Sequence, residues 1–264
     1  MRVGLGWRPE LGASILAHLD EIDVVEVLAE DFLAPSAAEK RALRFLAAHV
    51  EVVVHGTSLG LASTEGVERH RLDAFARLLE WLEPRTWSEH LAFVRAGGIE
   101  IGHLAAPPRN DETLEALARN VSEARRAIGS APLLENVATL VDPPCSTYSE
   151  VEWLEAVPRA TGANLLLDLH NLHANATNFG FEAVLPRDHI GMIHLAGGRV
   201  IAGDRILDDH LHAVPEALYA MLGEVADDEM TVVIERDGNY PPFEELLAEV
   251  RRARKTCPTA CSTF

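Results

Sequence analysis

With 264 residues and 41 acidic against 23 basic side chains, the chain carries a formal charge of −18. That excludes a general affinity for nucleic acid or an anionic membrane, since both require basic patches. A 48% hydrophobic composition is that of an ordinary globular chain, long enough to bury a large core.

No apolar stretch approaches the length of a bilayer span, and the first residues lack the charged-then-apolar pattern of a secretory signal. Three cysteines, two of them in the last eight residues, make no disulfide framework, so a reducing cytoplasm is the expected location. In chain order, a first strand is expected at 2–6, then a helix over 9–19 with Pro9 in its first turn. A strand at 24–28, a helix at 38–49, a strand at 51–55 and a helix at 68–82 follow. Next come a strand at 86–91, a helix at 111–128 and a strand at 132–136. A helix at 149–160 is opened by Ser149 and Glu152 as a capping box. After the strand at 164–168, the segment 179–188 is too short and turn-rich for a full helix. A strand at 190–195, a helix at 215–225, a strand at 231–236 and a helix at 243–254 complete the pattern.

Continuous apolar runs such as Val52-Val53-Val54 and Leu165-Leu166-Leu167 suit parallel strands covered on both faces. Eight strands alternating with helices, and no glycine-rich phosphate loop after the first, predict a single (β/α)₈ TIM barrel. Residues 1–255 are expected to form this catalytic domain and 256–264 a short tail.

The chemistry gathers at the carboxyl ends of the strands, where this fold places its active sites. The third strand ends in His55, the fourth in Glu89-His90, the fifth in Glu135-Asn136 and the sixth in Asp168-Leu169-His170-Asn171. The seventh carries His194 and the eighth Glu235. The loop after the seventh adds Asp208 and His210, two apart, so an extended backbone would aim both the same way. Asp168 and His170 share that spacing and are candidates to hold one metal together; His173 is expected only to line the cavity.

Any one of these is most simply a hydrogen-bonded polar residue. Six strand ends bringing carboxylates and imidazoles to one mouth require a compensating cation. Imidazole and carboxylate without thiolate suit non-haem iron, manganese or zinc. The candidates exceed what one ion takes, which predicts two or three ions with Glu135, central in the arc, as the bridge.

Glu26 and Glu30 flank the end of the second strand, either as hydrogen-bond acceptors for a ligand histidine or as solvent-facing carboxylates. Glu89, Asn136 and Asn171 neighbour ligands and are candidates to orient them, and Trp7 and Arg8 either hold substrate or pack the barrel lip. Cys145 shows no pairing with histidine, and Cys257 and Cys261 could bind metal, form a redox disulfide or do nothing, the last being expected of a chain terminus.

Six blocks in order resemble the multinuclear non-haem iron-dependent oxidative enzymes, the DUF692 family, whose members include catalytic subunits of methanobactin and thiaglutamate biosynthesis. They are Val54-His55-Gly56, Ser88-Glu89-His90-Leu91-Ala92, Leu133-Leu134-Glu135-Asn136, Leu166-Leu167-Asp168, Ile193-His194-Leu195-Ala196-Gly197 and Ile234-Glu235-Arg236-Asp237, after an opening Gly4-Leu5-Gly6-Trp7-Arg8-Pro9-Glu10. The resemblance implies that His55, His90, Glu135, Asp168, His194, Asp208, His210 and Glu235 hold two or three mixed-valent Fe(II)/Fe(III) ions. It implies O₂ as co-substrate and oxidation of a residue, often cysteine, in a ribosomally made precursor peptide. A small leader-binding partner protein is likewise implied.

His170 stands where the family usually has asparagine, and Asp208-Asp209-His210-Leu211 where it usually has Asp-Thr-His-Gly. A divalent-metal sugar isomerase or phosphoesterase-type hydrolase on the same barrel is the alternative, and the acidity of the chain speaks against a DNA substrate for it.

Overall fold

Parallel strands need long crossovers, and the helical segments supply them. The computed structural model describes residues 1–182 and 186–256, so Cys257 and Cys261 lie outside the described residues. The chain order is β1 (Arg2–Gly6), α1 (Gly12–Ala17), β2 (Val24–Leu28), α2 (Ala37–Ala47), β3 (Glu51–Gly56), α3 (Arg69–Leu82) and β4 (Trp87–His90). It continues through β5 (Phe93–Ala96), β6 (Ile99–Ala105), α4 (Asp111–Ile128), β7 (Leu133–Glu135), α5 (Glu150–Thr161), β8 (Leu165–Asp168) and α6 (Leu169–Phe179). The last elements are β9 (Ile190–Leu195), β10 (Arg199–Ile201), β11 (Arg205–Leu207), α7 (Glu216–Val225), β12 (Thr231–Ile234) and α8 (Phe243–Thr256).

Eight strands close a barrel in the order β1–β12–β9–β8–β7–β4–β3–β2, every neighbouring pair parallel. This is the expected (β/α)₈ TIM barrel. Two antiparallel hairpins, β5–β6 and β10–β11, stand on the loops after β4 and β9 and were not expected from the sequence. The helix after β8 also differs from expectation. It starts at Leu169 with no loop, its first turn capped by the strand's own Asp168, whose Oδ1 accepts from the Asn171 N–H at 2.6 Å. The segment 179–188, expected to carry whatever helix there was, lies beyond it and is described only in part. Ser149 and Glu152 form the anticipated reciprocal cap on α5, and Ser36 with Glu39 forms a second one on α2.

Side-chain alternation along the strands sets the interior. Val24, Val53, Leu166, Met192 and Val233 form a separate buried cluster, with Leu133 packed against it. Two residues further along the same strands stand Glu26, His55, Asp168, His194, Glu235 and Glu135, on the same face by the period of two. An apolar layer therefore plugs the barrel directly beneath the polar ring. The alternate positions, such as Val52, Val54, Leu165, Leu167, Ile193 and Val232, pack outward against the helices in the main core.

Beyond Arg2, whose side chain meets Thr231 and Glu51 at the amino end of the barrel, β1 contributes only glycines to the interior. A Cβ on Gly4 would lie 1.7 Å from the Val24 carbonyl oxygen, so β1 can approach β2 only without a side chain there. Gly4→Ala is expected to destabilise the barrel by about 3 kcal/mol, read by urea denaturation; an unchanged midpoint would show that β1 has room to retreat.

Candidate metal centre

β3, β4 and β7 bring His55, His90 and Glu135 together. Glu135 Oε2 lies 3.2 Å from His55 Nε2 and 3.1 Å from His90 Nε2. Yet Oε2 is buried and makes no hydrogen bond, because neither imidazole approaches along a donor direction.

The outer nitrogens explain why. His90 Nδ1 lies 3.2 Å from the Gly56 carbonyl, which can only accept, so a neutral ring turns its lone pair inward at Nε2. His55 Nδ1 is 2.8 Å from Ser88 Oγ, whose hydroxyl can donate onward to the Val54 carbonyl. With both rings neutral, two lone pairs and a carboxylate oxygen thus converge with no proton between them. Ligands roughly 2.1 Å from one ion would stand about 3.0 Å apart at right angles and about 3.4 Å apart at the tetrahedral angle. The observed separations fall between those values.

The other oxygen of Glu135 belongs to a second, fully buried group with Asp168, His194 and Glu235. Oε1 lies 3.2 Å from His194 Nδ1, and Glu235 Oε2 lies 3.1 Å from the same nitrogen. His194 Nε2 is hydrogen-bonded to Glu26 Oε2 at 3.0 Å, which leaves Nδ1 as the lone-pair nitrogen of a neutral ring. Asp168 is fixed by its backbone and one oxygen. Asn136 Oδ1 accepts from the Asp168 N–H, Asn136 Nδ2 donates to the Asp168 carbonyl, and Oδ1 caps α6. Its Oδ2 is buried and makes no hydrogen bond, lying 3.9 Å from His210 Nε2.

His170, Asp208 and His210 form a third group, nearer the mouth. Asp208 Oδ1 is 2.7 Å from His210 Nε2 and 2.9 Å from His170 Nδ1, the latter with hydrogen-bond geometry. This group is partly satisfied by its own proton, as is the second through His194 Nδ1 and Glu135 Oε1, whereas the first is not. His210 Nδ1 reaches Glu235 Oε2 at 3.2 Å and so ties the third group to the second.

Two expectations need correction. Asp168 and His170 do not share one cluster, because His170 already lies in the first turn of α6 and faces Asp208. Asp208 and His210 do meet, but not along an extended strand: His210 has φ +51°, a left-handed conformation that turns its ring back over Asp208.

Of the neighbours, Glu26 touches His194 whereas Glu30 accepts from the Thr57 N–H. Glu89 accepts from the backbone N–H groups of Leu59 and His90, and so braces the β3–α3 loop. Asn171 Nδ2 donates to the Asn136 carbonyl. Arg8 pairs with Asp237 across the β1 and β12 ends, and Trp7 lines a groove of about 470 Å³ on the outer side between α1 and α2. His173 is half-buried, its pKa lowered by burial and by nearby His170. Ser88 was not singled out from the sequence, although it stands two residues before His90 and therefore on the same face.

Without metal, protons balance the charge. Burial would lower the His90 pKa, but Glu135 and Glu89 outweigh it and lift it to about 9. Burial also works against charge on His194 and His210, and the facing carboxylates hold both well above the ordinary histidine value. Burial raises Asp168 to about 7, only partly opposed by His210. Glu135 and Glu235 resist the upward push of burial and lie below the usual carboxylate value because of these same histidines.

Glu26→Gln keeps the hydrogen-bond reach but removes the charge behind His194. Metal affinity is expected to fall roughly 10- to 100-fold, measured by competition with a chelating indicator. An unchanged affinity would show that Glu26 does not orient the ring.

Fold and site together define a parallel barrel with a buried histidine–carboxylate centre at its mouth. The architecture is shared with D-psicose 3-epimerase from Clostridium cellulolyticum (TM-score 0.58, 13% identity, 97% of this chain and 96% of that one). It is shared equally with 3-keto-D-glucoside 4-epimerase from E. coli (TM-score 0.61, 14% identity, 97% and 99%). At that identity the likeness is one of fold alone.

Within this architecture the chain belongs to the family described as RiPP precursor modification enzyme MbnB/TglH/ChrH, whose model matches residues 2–257. A UPF0276 protein from Rhizorhabdus wittichii is 34% identical over 88% of this chain and 86% of its own length. One from Streptomyces avermitilis is 36% identical over 97% of this chain, which spans 55% of that longer protein. No helix among the described residues is long and apolar enough to cross a membrane.

Proposed function

We propose that the chain is an oxidative, multinuclear non-haem iron enzyme that modifies a residue, often cysteine, of a ribosomally made precursor peptide with O₂ as co-substrate. The observation that carries this reading is Glu135, whose two oxygens face two separate ligand groups, with Oε2 buried and making no hydrogen bond. His55, His90 and Glu135 would hold one ion, and Glu135, Asp168, His194 and Glu235 a second. His170, Asp208 and His210 would take a third. Imidazole and carboxylate in this proportion fit iron, and no cysteine among the described residues belongs to any of the three groups.

Bound iron would supply one-electron redox chemistry with O₂ and a Lewis-acidic seat for a substrate thiolate. The chain's own residues do the rest. Ser88, Gly56 and Glu26 fix which imidazole nitrogen faces inward, and Asn136 with Asn171 holds Asp168 in place. The apolar plug of Val53, Leu166 and Met192 keeps water from reaching the ring from below. Precursor peptide and the small leader-binding partner would both approach at the open mouth, in a reducing cytoplasm where ferrous iron is available.

The test is anaerobic purification, metal quantification and Mössbauer spectroscopy before and after O₂. Two or more irons with a mixed-valent, oxygen-responsive signal are expected. Stoichiometric zinc or manganese without an oxygen response would reject the oxidative reading and favour the sugar-isomerase or hydrolase alternative.

A further inference from the structure

Large apolar side chains exposed singly are ordinary, but their distribution here is not even. Of seven exposed among the described residues, five stand on three loops: Ile99 and Ile101 after β4, Leu140 and Val141 after β7, and Val200 after β9. Those strands lie along one continuous arc of the barrel, β4–β7–β8–β9. Ile99, Val141 and Val200 are each more than two-thirds exposed (69%, 69% and 68%), so the residues are not merely the rim of the core. All three loops rise from the carboxyl ends of strands that carry candidate ligands, and β11 ends one residue before Asp208.

The centre of this arc is held rigidly. Asn178 of α6 accepts from the Ile206 N–H at 2.8 Å and donates to the Ile206 carbonyl at 2.9 Å and the Thr139 carbonyl at 3.4 Å. One turn earlier, Asn175 accepts from the Thr139 N–H at 3.0 Å and donates to the Val137 carbonyl at 3.0 Å. Arg205 closes the gap by donating to the Leu140 carbonyl while its guanidinium lies over the Phe179 ring. The β10–β11 hairpin and the 137–141 segment are thus hydrogen-bonded to one helix and to each other. Apolar side chains on a loose loop would fold down onto the nearest core; these are propped outward by named polar contacts. Preorganisation of this kind lowers the entropic cost of binding. β10 pairs only with β11 in a two-stranded sheet, so its outer edge offers backbone groups to an extended chain.

We propose that this arc, centred on Leu140, Val141 and Val200, is the docking surface for an extended apolar stretch of the precursor peptide, lying beside the residue presented to the metal centre. The proposal rests on the reading of the substrate as a peptide. Continuity with the centre argues for that occupant, since a chain reaching the ring must cross the rim.

The probe is a phage-displayed library of random dodecapeptides, panned on the metal-loaded protein, with binding of the enriched peptides then measured by titration. Peptides with an apolar stretch are expected. The double variant Val141→Asp/Val200→Asp should bind them roughly tenfold or more weakly, with metal content unchanged. Leu16→Asp, in the outer groove between α1 and α2, should leave binding intact. Deuterium exchange of the wild-type protein should slow at 139–142 and 199–207 on peptide addition, which checks the surface even if a variant folds poorly.

Failure to enrich any peptide would overturn the proposal. So would equal binding by the double variant, or loss caused by Leu16→Asp instead. Peptides that dock on the arc of a protein holding no redox-active metal would leave the docking surface standing and remove the oxidative reading. A full iron centre with no peptide at the arc would do the reverse.

Discussion

Glu135→Gln is expected to strip both ions that this side chain serves, leaving at most the ion of the third group, with turnover lowered by at least about a hundredfold. The amide keeps the size of the carboxylate but can offer only one oxygen, and its nitrogen brings hydrogens toward lone pairs already aimed inward. His55 and His90 on one side and His194 on the other would then lose their shared negative partner. Metal quantification after anaerobic purification reads the result directly. Glu89→Gln is the matched control, since Glu89 is equally buried (1%) but spends its oxygens on the Leu59 and His90 N–H groups. Its loss should lower stability by roughly 1–3 kcal/mol while metal content stays the same. Full metal content in Glu135→Gln would dismiss the bridge.

The second large effect is a reversal of pH dependence on metal removal. In the metal-free protein His90 titrates near 9 rather than 6.5, so the folded state holds a proton that the unfolded chain has released between those values. The stabilisation is complete below pH 6.5 and is lost as pH rises through 9, about 3 kcal/mol for His90 alone. His194 and His210 are raised in the same sense and add to it. Asp168, raised to about 7, acts the same way lower down: it favours folding at acid pH and loses that contribution as pH climbs from 3.8 to 7.

Metal binding displaces those protons, so affinity must increase over the range in which the apoprotein weakens. Thermal midpoints measured from pH 6 to 9 should therefore fall for the chelated protein and hold or rise for the loaded one. Parallel curves would mean that the ring binds no metal through these histidines.

Much of the barrel was legible because each strand is a short apolar run, and 190–195 coincides with β9 at both ends. The ligand ring was legible for a related reason. Once strand ends are placed, the period of two decides which side chains face in, and the polar residue lies two beyond an apolar one, as in Val53 and His55 or Met192 and His194.

The hairpins escaped although their turns are written in the sequence. Gly97 and Gly98 have the positive φ that a two-residue hairpin turn requires, and Gly203 and Asp204 have it in the three-residue turn 202–204. β5, β10 and β11 are only three or four residues long, and the longer β6 is mostly exposed and carries no continuous apolar run. α6 escaped because Leu169–Phe179 is rich in asparagine and histidine, poor helix formers, and its cap is itself a candidate ligand. The grouping of the ligands depends on long-range geometry: His170 sits two residues from Asp168 yet turns toward Asp208, thirty-eight positions away.

The apolar plug beneath the ring makes the barrel a cul-de-sac. A polymer cannot be threaded through a blind chamber, as it can through a tunnel, and must leave by the opening it entered. A residue near a chain terminus reaches the bottom with one strand in the opening, whereas an internal residue needs a tight bend and two. Under the proposed reading, a peptide would therefore be modified close to a free end, and each product segment would back out before the next residue descends.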